Sequence, residues 1–120
     1  MRRELLDLHR TLVDAERRDY ERVRGRMTDR AFLQALIGDA ALSWLNPLTS
    51  LIVRLDELLE DETPQSAAQR DDCIAELRKL LKPDAQGQGF QRQYEDAMQR
   101  SPEVVVAHGR AMRALQASAH

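Results

Sequence analysis

The sequence predicts an all-α fold, a compact antiparallel helical bundle of four principal helices plus two or three short helices. Three observations carry this expectation. No segment alternates apolar and polar residues with a period of two. Apolar residues instead recur at spacings of three and four along most of the chain. Helix start and stop signals also divide the chain into segments of helical length, with caps at Thr28, Asn46-Pro47, Thr63-Pro64 and Ser101-Pro102 and a stop at Gly25.

The first helix is expected from Arg2 to Arg24, ended by Gly25, where a residue without a Cβ can leave the helix. Thr28 then opens a short helix, "DRAFLQALI", ending near Gly38, and Asp39 caps a further turn or two, "AALSWL". Asn46-Pro47 places a cap before a proline that has no N–H to lose. From there Leu48, Leu51, Ile52, Leu55, Leu58 and Leu59 keep helical spacing to the acidic "EDE" of residues 60–62. Thr63-Pro64 starts a segment to about Leu81 with Ala67, Ile74, Leu77, Leu80 and Leu81 on one face. "KPDAQGQG" (82–89) is the clearest loop. Phe90, Tyr94 and Met98 mark another short helix, and Ser101-Pro102 opens the last, to about Gln116. The tail 117–120 is expected to fray.

The 120 residues suit a single helical domain, 1–120. The apolar fraction of 42% and the charged fraction of 32% are those of a globular chain. A net charge of −2 gives no field drawing the protein to nucleic acid or anionic lipid, so neither is expected as a partner. A single cysteine, Cys73, allows no intrachain disulfide. The charged N-terminus has no apolar core of a secretory signal, and the expected compartment is the cytoplasm. The longest uncharged run, "AALSWLNPLTSLIV", is too short for a membrane span of about 20 residues. It reads as a buried corner, with Trp44 as its structural anchor or, if outward, a partner-contact residue.

On the first helix, Arg3, Arg10, Arg17 and Arg24 form a stripe, but Asp7, Asp14 and Glu21 share the same heptad spacing and sit within side-chain reach. The stripe therefore reads as a solvated face. On the opposite side, Leu5, Leu12, Tyr20 and Val23 cluster, with Leu8 and Val13 flanking. His9 and Glu16 fall near the middle of that side. A carboxylate facing a core needs a partner, so Glu16 is expected to meet Tyr20, four residues on, or a group from another helix. The last helix repeats the pattern, with Val104, Val105, Ala111, Met112 and Leu115 apolar and His108 near their centre.

These residues define the candidate ligand-binding set: His9, Glu16, Tyr20 and His108. Two inward histidines on the terminal helices can be neutral and internally satisfied, or can hold a small ligand, a metal or a haem. A ferritin-like di-iron site is ruled out, since neither terminal helix carries Glu-x-x-His. No catalytic set stands out, and no cofactor or metal ligand set is assigned. Cys73 reads as a small buried hydrophobe, because Asp71, Asp72 and Glu76 oppose a thiolate. "GQG" (87–89) is a connector, lacking the Gly-Lys-Ser/Thr ending of a phosphate loop.

The segments "LLDLHRTLVDAERRDYE" (5–21), "WLNPLTSLIVRLDELL" (44–59), "LLKPDAQGQGF" (80–90) and "SPEVVVAHGR" (101–110) resemble small uncharacterised proteobacterial proteins with no assigned activity. The resemblance implies a compact bacterial helical domain and transfers no functional residue. Amphipathic helices without a catalytic set point to a non-enzymatic interaction, structural or regulatory protein. Its partner would be a homodimer mate or another protein, and the alternative is a sensor built on His9 and His108.

Overall fold

The computed structural model describes residues 1–84, 87 and 89–117. Among them there are seven helices and no strand: α1 (Arg2–Arg24), α2 (Asp29–Gly38), α3 (Ala40–Ser43), α4 (Asn46–Glu60), α5 (Pro64–Leu81), α6 (Phe90–Arg100) and α7 (Pro102–Ala117). The expected fraying of the tail falls, beyond Ala117, outside the described residues, as do positions 85, 86 and 88 of the expected loop.

Local chemistry sets most boundaries. Gly25 ends α1 at φ 86°, a left-handed conformation favourable only without a side chain. Thr28 accepts the Ala31 N–H through its hydroxyl, and Asp39 accepts that of Ala41 through its carboxylate. Asn46 is not the cap expected of it. The chain stays in helical conformation through Trp44 and Leu45, and Asn46 is already the first residue of α4. Thr63 makes no side-chain cap either. Its own N–H donates to the Asp61 carboxylate, and the buried Ser66 hydroxyl reaches the Asp61 and Thr63 carbonyls.

The helices α1, α4, α5 and α7 pack in a closed circuit, with α1 against α4, α4 against α5, α5 against α7 and α7 against α1, while α6 lies chiefly on α7 and α5. Side-chain pairings give directions. Arg2 meets Asp56 and His9 meets Thr49, so α1 and α4 run antiparallel. Cys73 Sγ–H donates to the Leu51 carbonyl and Arg70 to that of Leu58, which sets α5 antiparallel to α4. One apolar cluster fills the interior, built on Leu5, Leu8 and Leu12 of α1, Leu48 and Leu55 of α4, Leu77 and Leu81 of α5, and Val104 and Leu115 of α7.

Several apolar positions sit differently from their expected faces. Leu8 is at the centre of the α1 core face, and Val23 is 80% exposed because α1 runs past the end of the core. On α5, Ala67 is exposed and Ser66 is buried, while Cys73 is buried as expected. On α7, Val105 faces solvent and Ala107 is buried. Among the described residues no helix is long and apolar enough to cross a membrane.

Candidate functional site

The inward polar residues do not converge on one point. They form separate links, each joining two or three helices. Glu16, only 7% exposed, sits near the end of the α1 core face and accepts from Arg100 Nη2 of α6 at 2.9 Å. The indole of Trp44, at the corner between α3 and α4, acts on the same carboxyl and lowers its pKa. The other amino group of Arg100 holds Asp19 at 3.0 Å. Of the two expected arrangements for Glu16, the structure adopts the partner from another helix. Tyr20 instead donates to the Asp39 carboxylate at 2.6 Å, tying α1 to the cap of α3.

Burial raises the Glu16 carboxyl above the ordinary carboxylate value, while the Arg100 charge opposes the shift. The hydrogen bond from Tyr20 holds Asp39 below its ordinary value. Asp39 therefore stays ionised, stabilising the helix N-terminus it caps.

His9 is partly buried, with Nε2 at 2.8 Å from the Thr49 hydroxyl oxygen. The same hydroxyl lies 3.2 Å from the Leu45 carbonyl, so its one proton serves either that carbonyl or the imidazole. His108 is also partly buried, with Nδ1 at 2.7 Å from the Tyr94 hydroxyl. Burial pushes the Tyr94 phenol far above its usual range, so it keeps its proton and meets Nδ1 as a neutral hydroxyl. The rings of Trp44, Phe90, Tyr94 and His108 follow one another at centroid separations of 5.5, 5.4 and 5.4 Å. This aromatic row joins the α3–α4 corner to α6 and α7.

Burial lowers the pKa of both His9 and His108 below 6.5. The consequence for stability has a definite sign. Above about pH 7 both folded and unfolded chains hold neutral histidines. As pH falls through about 6.5, the unfolded chain takes up protons before the folded one, and stability drops. Glu16 acts oppositely, because its raised carboxyl protonates first in the folded state, but only nearer the carboxylate range. The urea midpoint is therefore expected to fall between pH 7.5 and 6, and to fall less when both histidines are replaced by Gln. A midpoint that is flat or rises over this interval in the unmodified protein would contradict the neutral, buried assignment.

Four clefts among the described residues are lined elsewhere. One of about 850 Å³ runs along Arg10, Asp14, Arg17 and Glu103, and one of about 400 Å³ along Glu4, Asp7, Val106 and Arg110. Neither these nor the other two are lined by His9, Glu16, Tyr20 or His108. No group of three or more His, Cys, Asp or Glu side chains among the described residues is placed to hold a metal ion. The arginine stripe is met by carboxylates. Arg10 pairs with Asp7, Arg17 with Glu21 and Asp29, and Arg24 lies 3.9 Å from Asp39 and over the Tyr20 ring. Cys73 is buried and its thiol is pushed up by desolvation.

Sequence reasoning missed the partners rather than the residues. Arg100, Asp39, Thr49 and Tyr94 carry no local signal, since they lie 84, 19, 40 and 14 positions from the groups they bind. A surface feature it overlooked is on α2. Phe32 of this ten-residue helix is buried, yet Leu33 and Ile37 remain 58% and 72% exposed on the other side. Helical spacing puts Arg30, Leu33 and Ile37 within about 60° of one another.

The chain matches no family model, and no curated protein or solved structure is significantly similar to it.

Proposed function

We propose that this chain is a non-enzymatic interaction module whose contact surface is the outer face of α2. The observation behind the proposal is the two-sided apolar character of that helix. Burying Phe32 accounts for one side. Leu33 and Ile37 have no structural use facing water, and two large aliphatic side chains on a rigid helix make an anchor for a partner. The internal polar groups support the same reading. Glu16, Tyr20, His9 and His108 each bind a group on another element, so they serve to join helices. The competing sensor reading rests on the two imidazoles, each of which already uses one ring nitrogen within the protein.

A photo-crosslinking residue placed at Ile37, with the exposed Gln69 of α5 as control, tests the proposal. The expected outcome in the native host is an adduct of defined mass at position 37 and none at 69. Equal labelling at both positions, or none at either, would count against α2 as a contact surface. For the sensor reading, metal analysis and a visible spectrum of the protein purified from its host give the decision. A stoichiometric metal or a Soret band would favour it over the module.

A further inference from the structure

We infer that the partner of the outer α2 face is a second copy of this chain, docked head to tail through the acidic end of α4. The inference rests on the reading of α2 as the contact surface and names its occupant. Charge complementarity carries it. The stretch 22–30, leading into α2, holds Arg22, Arg24, Arg26 and Arg30 against one carboxylate, Asp29. The stretch 56–62 holds Asp56, Glu57, Glu60, Asp61 and Glu62 with no basic residue. Arg26 and Arg30 in the first stretch, and Glu57, Glu60 and Glu62 in the second, are exposed.

The two stretches lie well apart on a molecule measuring 48 × 31 × 23 Å. The Arg2–Asp56 pair puts the acidic stretch beside the start of α1. The Arg17–Asp29 and Tyr20–Asp39 contacts put α2 across its second half. At a rise of 1.5 Å per residue, that separates them by about 20–30 Å along α1. The acidic end has apolar surface to receive α2 as well. Leu6 and Leu59 are exposed there and flank a shallow dimple floored by Ile52 and Leu55. Both halves of a contact, apolar centre and charged rim, are thus present on one chain with opposite signs.

A symmetric dimer through α2 alone fits less well, since it would leave the acidic stretch without a basic partner. The complementary arrangement joins unlike surfaces. Unless its rotation closes a ring, such a contact adds copies without limit. Because the rims are exposed charges, the association weakens with salt.

Sedimentation velocity on the full chain, from about 10 µM to 1 mM protein and at about 50 and 500 mM salt, tests this. The expected result is a mass that grows beyond two copies with concentration at low salt and shrinks at high salt. Ile37→Asp, Arg30→Glu and Glu60→Arg, all at exposed positions, should each weaken association by about tenfold or more. Mixing Arg30→Glu with Glu60→Arg should restore it, since each variant then meets an opposite charge on the other. A monomer under every condition would overturn the inference, and the crosslink at position 37 would then show whether α2 contacts some other protein. Association that stops at two copies, is lost in Ile37→Asp and ignores Glu60→Arg would also overturn it, while leaving α2 as the contact surface.

Discussion

Trp44→Ala is expected to destabilise the protein by about 3 kcal/mol, within the range for losing a large aromatic from a packed site. Trp44 is partly buried rather than fully enclosed, which places the effect toward the lower end. Its ring packs against Phe90, and its indole N–H lowers the pKa of the Glu16 carboxyl. Truncation removes both influences and leaves Glu16 with Arg100 as its side-chain donor. Trp44→Phe separates the two contributions. It keeps the ring contact and loses the N–H, so it should cost about 1 kcal/mol or less, below the scale of a full hydrogen bond to a charged group. Combining Trp44→Phe with Glu16→Gln should cost less than the sum of the single changes, because both act on one contact. Urea unfolding of the unmodified protein and the four variants gives all these values. A loss below about 1 kcal/mol for Trp44→Ala would mean that the corner does not depend on its anchor.

What the sequence made legible, and what it hid, follows from the range of the forces involved. Helix ends at Gly25, Thr28 and Asp39 are set by groups within three residues, and all three act as expected. The run without charges around Trp44 is the inside of a corner for an equally local reason. Leu45 and Leu48 face the core from both sides of one turn. The histidines show the limit. On α1, Tyr20 and Val13 draw the apparent centre of the apolar face toward His9. The buried set is Leu5, Leu8, Leu12 and Ala15, whose centre lies about 40° away on the helical projection. On α7, Val105 and Met112 shift the apparent centre in the same way, while Val104, Ala107, Ala111 and Leu115 form the true face. Both histidines therefore sit at the borders of the core. There each can reach a hydroxyl on a neighbouring helix. Apolar residues at a face border bias the projection toward whatever polar residue lies between them and the core, and the bias recurred on both terminal helices.

Those border positions make Tyr94 the residue whose loss should be felt most widely. Tyr94→Ala is expected to cost about 3–5 kcal/mol. The ring is fully buried and stacks on Phe90 at 5.4 Å, and its hydroxyl is the partner of His108. Tyr94→Phe is the informative companion. It keeps the packing and removes one hydroxyl, for a cost of about 1 kcal/mol. Burial lowers the His108 pKa, and a hydroxyl that donates to the neutral ring would lower it further, since a bond to the neutral form disfavours protonation. Without it, the pKa of His108 should rise toward 6.5, and the loss of stability between pH 7.5 and 6 should become shallower. Imidazole chemical shifts followed by NMR through the titration would read this directly. A His108 pKa that stays put in Tyr94→Phe would show that desolvation alone holds it down. A pKa that rises would show that Tyr94 fixes the ring in one tautomer. In that case His108 is a joint between α6 and α7.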